Sequence, residues 1–300
     1  MSFPACHRLP YGSPGNHECP MSSPLDRSLR DRLTAVAEAA ADKAASVIRP
    51  LFRTRLDAAL KSDQSPVTIA DRKAEEVMRR LIADAFPDHG ILGEEYGLER
   101  AEADFRWVLD PIDGTRAFIT GRPTFGTLIG LMWRGEPVLG LIDQPVTGER
   151  WIGERALTSD DVVHPTYFTG PFGGQVGIRP CPRLEDAELS ATSPEMFGDD
   201  LPRWQSFAHH ARRVSWGGDC YAYGLLALGQ IDIVAEADLK VWDWAALLPV
   251  VEGAGGRMTC WSGQPLSEHG SGRTLAVGDP ALLPQAVAAL SESSSGIRTK

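Results

Sequence analysis

The sequence predicts a mixed α/β protein, on three observations. Apolar residues recur at helical spacing from Leu25 to about Phe52. Residues 124 to 152 alternate apolar runs with turn signals. Between them, Trp107-Val108-Leu109 looks like a buried strand that runs into the acidic Asp110-Pro111-Ile112-Asp113. The chain has 300 residues, 43% of them apolar, enough to bury a substantial core in one large or two moderate domains.

In order along the chain, Leu29, Leu33, Val36, Ala40, Ala44, Val47 and Leu51 mark a long packing helix rich in alanine. Residues 61 to 68 suit a loop, after which Asp71 is expected to cap a second helix that Phe86, Pro87 and Gly90 terminate. Ile91-Leu92 leads to Gly93-Glu94-Glu95. The strand from Phe105 to Leu109 is expected to stop at Pro111, which cannot donate to a ladder. Gly114-Thr115 would open a short helix and present free N–H groups to an anion. An antiparallel meander fills 124 to 152, and the Pro- and Gly-rich stretch from Pro165 to Pro182 is a link or surface loop. Short segments follow at Ala187–Ala191, Ala222–Leu228 and Ile231–Val234, then a helix from Trp244 to Glu252 and a Ser-rich end after Leu290. The halves divide at 22–153 and 154–300, behind an N-terminal extension of residues 1–21.

Composition narrows the function. A net charge of -10 argues against non-specific nucleic-acid binding, which needs a basic surface, and favours a small-molecule partner. No apolar run approaches the ~18 residues of a membrane span, and the N-terminus lacks signal-peptide features, so the expected location is cytoplasmic. The five cysteines (Cys6, Cys19, Cys181, Cys220, Cys260) are scattered and expected to be reduced. Cys6-His7 and His17-Glu18-Cys19 match no zinc module.

Three acidic clusters remain: Glu94-Glu95, Asp110 with Asp113, and Asp243 after Trp242. At ~4 Å and an effective dielectric of ~20, two carboxylates repel by about 4 kcal/mol, so a chain that gathers several does so around cations. Oxygen ligands without His or Cys suit Mg²⁺ or Mn²⁺ better than zinc. Taken singly, each acid is also explained as a solvated loop charge or a helix cap. Taken together they are not.

The set Gly93-Glu94-Glu95, Asp110-Pro-Ile-Asp113-Gly-Thr115 and Trp242-Asp243 followed by Gly253-Ala-Gly-Gly256 resembles the inositol monophosphatase superfamily of Mg²⁺-dependent phosphatases, over about residues 25 to 290. Within it, Trp216-Gly-Gly-Asp219-Cys220-Tyr221-Ala-Tyr223 and Glu236-Ala-Asp-Leu-Lys240 look most like the histidinol-phosphate phosphatases. The resemblance implies a layered αβαβα sandwich, a homodimer, and two or three Mg²⁺ ions, with Mn²⁺ as a substitute. The metal ligands would be Glu94, Asp110, the carbonyl of Ile112, Asp113 and Asp243. Asp71 and Thr115 would serve the attacking water, with Glu94 also in the catalytic set, and the substrate would meet Glu94, Ile112, Asp113, Gly114, Thr115, Asp219, Glu236 and Asp243. The anionic pair Asp219 and Glu236 suits the ammonium and imidazole of histidinol phosphate, although a polyol can also hydrogen-bond to it.

Lys61 would support the metal cluster, unless it is a plain loop lysine. Arg213 would approach the phosphate of a neighbouring subunit, unless it is a surface arginine. Tyr221 and Tyr223 line the imidazole pocket or belong to the core. Glu95 is a supporting residue at most, or a simple exposed carboxylate. Three departures accompany the match: Glu154 to Gly174 lacks the usual turn, Val241 stands where a proline is common, and Trp244 follows Asp243 where smaller or other aromatic residues often occur. The alternatives are a phosphatase of the same superfamily acting on inositol monophosphate, a sugar bisphosphate or 3′-phosphoadenosine 5′-phosphate, or a non-catalytic metal-binding scaffold.

Overall fold

The computed structural model describes residues 25–54, 66–157 and 163–291. Lys61, Cys6, His7, His17, Cys19 and the Ser-rich tail beyond Ser291 lie outside the described residues.

Helix α1 (Arg27–Ile48) buries Leu33, Ala37, Ala40, Ala44 and Ile48, one apolar stripe at helical spacing. Asp26 caps it by accepting the Leu29 N–H at 2.7 Å. A single 3-10 turn, Arg49–Leu51, holds Pro50 and ends it. Helix α2 (Pro66–Ala85) starts earlier than expected. Proline suits the first helical position, where its missing N–H would be unbonded anyway, so Asp71 is not a cap but an interior residue of the helix.

Next come β1 (Gly90–Gly93), β2 (Gly97–Glu99), β3 (Phe105–Asp113), the short α3 (Thr115–Ile119), β4 (Gly126–Trp133), β5 (Glu136–Gln144), β6 (Glu149–Glu154) and β7 (Tyr167–Thr169). Among the described residues they form a seven-stranded sheet in the order β2-β1-β3-β4-β5-β6-β7. Only the β1–β3 pair is parallel. The expected meander is β4 to β6, and β7 adds an edge strand from within the stretch expected to be a link.

The second half contributes β8 (Glu188–Ala191), α4 (Leu201–Ala208), β9 (Arg213–Trp216), α5 (Asp219–Ala227), β10 (Ile233–Glu236), α6 (Val241–Trp244), α7 (Leu247–Gly253), β11 (Arg257–Thr259), β12 (Thr274–Val277) and α8 (Leu283–Ser291). Its sheet runs β11-β12-β10-β8-β9. The single helix expected from Trp244 to Glu252 is two helices, α6 and α7. Pro249 has no N–H for the carbonyl of Ala245, so the ladder breaks there and restarts with the proline in its first turn.

The layers follow from strand alternation. On β3, Trp107 and Leu109 face α1 and α2, while Val108 faces the core shared with α5, α6 and α7. That second core also takes Val234 and Ala276 from the other sheet, so these three helices lie between the sheets. The far face of the second sheet packs Ile233, Ala235 and Leu275 against Trp204 and Phe207 of α4 and Ala286 and Leu290 of α8. The order is helix, sheet, helix, sheet, helix: a layered αβαβα architecture.

Candidate active site

The site begins at an irregularity in β3. Asp110 pairs with Leu128 and Asp113 with Gly126, so three steps on β3 oppose two on β4. This is a β-bulge, with one extra residue on β3. The strand therefore does not stop at Pro111 but carries the proline within the bulge, where no ladder N–H is required of it. Without the extra residue, Asp110 and Asp113 would project to opposite faces; with it, both project toward α5 and α6. The bulge is pinned by the Ile112 N–H donating to Asp110 Oδ1 at 3.0 Å and by the Thr127 hydroxyl donating to the Pro111 carbonyl at 2.8 Å.

Asp243 arrives from the other half on α6, which packs against β3 and β4. Its Oδ2 accepts the Lys240 N–H at 2.6 Å. Among the described residues, one carboxylate oxygen from each of Asp110, Asp113 and Asp243 lies within 4.8 Å of the others. Glu94 stands in the turn between β1 and β2, its carboxyl within hydrogen-bonding reach of Asp110.

Electrostatics shows what this grouping costs. Burial, followed by repulsion from Asp243 and Glu95, raises Glu94 to about 7, and burial raises Asp243 to about 6. Asp110 and Asp113 are pushed well above the ordinary carboxylate range, first by burial and then by their acidic neighbours. A cluster of mutually repelling oxygen donors, buried at Asp110 and open toward solvent at Glu94, fits a hard divalent cation.

Asp71 faces the same region from α2. It is buried, its Oδ1 has no hydrogen-bond partner among the described residues, and burial with repulsion from Glu95, Glu94 and Glu75 raises it to about 8. The Thr115 hydroxyl donates to the Ile112 carbonyl at 3.4 Å, and among the described residues no hydrogen bond joins it to Asp71. Gly114, at φ +84, lies so close to α5 that a Cβ there would meet the Asp219 side chain at 2.9 Å. This contact ties the β3–α3 turn to α5, and the Cys220 N–H donates to Asp113 Oδ2 at 2.7 Å across the same junction.

Asp219 accepts from the Thr124 hydroxyl at 3.4 Å, and burial raises its pKa. Glu236, at the end of β10 and 4% exposed, accepts the Thr192 N–H at 2.8 Å and the Tyr223 hydroxyl at 2.9 Å. Burial raises Glu236 to about 7. A cavity of about 190 Å³ runs between these groups, lined by Asp113, Asp243, Asp219, Glu236, Thr192 and Met196 among others. The carboxylate cluster and the Asp219/Glu236 pair therefore share one pocket.

Tyr223 lines that pocket and is also a fully buried core residue, whereas Tyr221 turns away and donates to Glu149 at 2.7 Å. Arg213 is exposed and paired with Glu188. Sequence reasoning missed Thr192, Thr124, Glu75 and Arg79. The last two had a signal: Asp71, Glu75 and Arg79 are charged at i, i+4, i+8 in a helix that is otherwise apolar on its inner face.

The fold and this carboxylate pocket define a metal-dependent phosphatase architecture, and the comparisons agree. The family model described as "Inositol monophosphatase family" matches residues 29–295. The chain belongs to that family, whose members are metal-dependent phosphatases. It is 47% identical over 245 residues to the bifunctional phosphatase IMPL2, chloroplastic, of Arabidopsis thaliana, covering 81% of this chain and 68% of that protein. It is 35% identical over 238 residues to a histidinol-phosphatase of Mycobacterium tuberculosis, covering 76% and 87%. Among solved structures, an inositol monophosphatase from Zymomonas mobilis is 45% identical with a TM-score of 0.79, covering 89% of this chain and 99% of that one. No helix among the described residues is long and apolar enough to cross a membrane.

Proposed function

We propose that this chain hydrolyses L-histidinol phosphate to L-histidinol and phosphate, the chemistry of a histidine-biosynthetic step. The observation that carries the reading is the shared pocket: the carboxylate cluster opens directly onto the buried anionic pair Asp219 and Glu236. A substrate with a phosphate at one end and an ammonium and an imidazole at the other meets opposite charge at both ends once cations occupy the cluster, because its own positive end favours the charged form of Glu236, which burial raises to about 7.

Glu94, Asp110, Asp113, Asp243 and the Ile112 carbonyl would hold Mg²⁺, in two or three ions, with Mn²⁺ as a substitute. When bound, the ions supply Lewis-acid neutralisation of the phosphate and lower the pKa of water. The chain's own part is to position. The N–H groups of Gly114 and Thr115 face the phosphate at the start of α3. The Thr115 hydroxyl, which donates to the Ile112 carbonyl in this structure, would turn to accept or relay the proton of the attacking water, and Asp71, buried on α2 with its Oδ1 unpartnered among the described residues, would orient that hydroxyl. No nucleophilic Ser or Cys is required, so phosphate passes directly to water. The reading includes a homodimer, as the family resemblance implies, and the cytoplasmic location expected from the sequence, and the charge of -10 supports a small molecule over nucleic acid as partner.

A second reading, hydrolysis of inositol monophosphate, is favoured by the 45% identity to the Zymomonas inositol monophosphatase. Glu236→Gln separates the two. It keeps an acceptor for Thr192 but removes the charge, so it is expected to raise KM for histidinol phosphate about 10-fold at nearly unchanged kcat, roughly the effect of losing one charge-assisted contact. Equal effects on both esters would count against the cationic leaving group.

A further inference from the structure

We infer that Glu75, held by Arg79, fixes the turn that carries Glu94, which makes Glu75 a positioning residue for the cation site. The inference rests on the reading of Glu94 as a cation ligand. Glu75 lies one helical turn beyond Asp71 on α2 and is fully buried. Its Oε2 accepts the Glu95 N–H at 2.8 Å, and its Oε1 accepts both the Tyr96 N–H at 3.2 Å and the Arg79 Nε–H at 2.7 Å. Arg79 in turn donates to the carbonyl of Gly97 and to Glu99 at 3.1 Å. One carboxylate–guanidinium pair thus bonds the backbone of residues 95, 96 and 97, the whole segment from Glu94 into β2.

Gly93 completes the device on the other side. The Glu75 carboxylate lies where a Cβ on Gly93 would be, so only glycine lets it approach the turn. Stability is a weak reason for such a pair, since buried ion pairs are often no better than apolar residues of the same volume. What apolar residues could not supply is acceptors for two consecutive turn N–H groups. Because the acceptors stand on a helix, the turn inherits the rigidity of α2, and Glu94 is held over Asp110 while its neighbours repel it. Partners that orient a metal ligand typically change affinity about 10- to 100-fold when lost.

The test titrates MgCl₂ alone into the metal-stripped full chain by calorimetry and, in parallel, measures turnover against Mg²⁺. Glu75→Gln replaces an acceptor with a donor facing the turn. It is expected to weaken Mg²⁺ binding and raise the half-saturating Mg²⁺ about 10- to 100-fold, with turnover recovered at high Mg²⁺ and KM for the phosphoester unchanged there. Gly93→Ala displaces the same carboxylate from the opposite side and is expected to match it. If Glu75→Gln does not fold, Gly93→Ala and Arg79→Lys decide: weakened binding supports the inference and wild-type binding overturns it. Glu94→Gln is the reference. Should it weaken Mg²⁺ binding while Glu75→Gln and Gly93→Ala bind as wild type, the positioning role alone is overturned. Wild-type binding by Glu94→Gln would overturn the reading of Glu94 and this inference with it.

Discussion

Asp110 and Asp113 lie three residues apart yet project the same way, because one inserted residue in β3 resets the alternation. From the sequence, Pro111 signalled the end of a strand; the two acids were legible as a pair, but their common direction was not, because that depends on the register with β4. Asp71 was expected to serve the attacking water from the family resemblance alone, and it faces the acidic cluster from α2; the separate expectation that it caps that helix fails once Pro66 begins the helix. Another residue has a measurable role away from the chemistry. Trp107 Nε1–H donates to His89 Nδ1 at 3.1 Å, and His89 stacks between Phe86 and Phe105. Burial lowers the pKa of His89 from 6.5 to about 4, only partly offset by Asp88, with Arg100 lowering it further. Between those values the unfolded chain binds a proton that the folded one refuses, so this contribution to stability is present above pH 6.5 and lost as pH falls toward about 4. His89→Gln keeps an acceptor but does not titrate. Its urea midpoint is expected to fall less than wild type's between pH 7 and pH 4.5; an identical fall would contradict the assignment.

At the scale of elements, α1, α2 and the β4–β6 meander were legible because each repeats its period over many residues. The break between α6 and α7 was not, since its four-residue first piece is too short to show a period and Pro249 reads equally well as a first-turn residue. Nor did the sequence reveal that the β3–α3 turn presses on the start of α5. Gly114→Ala tests that junction. Its added Cβ would sit at φ +84 and meet Asp219 at 2.9 Å and the Phe125 backbone at 3.1 Å. The expected cost is about 1–3 kcal/mol of stability, read by thermal unfolding, with a large loss of turnover as Asp219 and the Thr115 N–H are displaced. Normal turnover and stability in Gly114→Ala would show that the turn and α5 are not coupled in this way.

For the whole molecule, α6 brings Asp243 to the end of β3, so the acidic cluster joins residues far apart in the chain, and only the closed fold assembles it. That the three acidic clusters gather around cations was readable from the acids themselves, but which elements bring them together was not: periodicity says which face of a helix is buried and not which sheet covers it. The same holds for the αβαβα layering. A cation-dependent phosphatase whose pocket prefers a cationic alcohol is what we propose this convergence makes. The most direct test is phosphate release from L-histidinol phosphate and myo-inositol 1-phosphate, side by side, with Mg²⁺, with EDTA and with an Asp113→Asn control. Mg²⁺-dependent turnover, a higher kcat/KM for histidinol phosphate, and loss of activity with EDTA and in Asp113→Asn are expected. Preference for the inositol ester would contradict the assigned pocket, and turnover that survives EDTA or Asp113→Asn would contradict the carboxylate site itself.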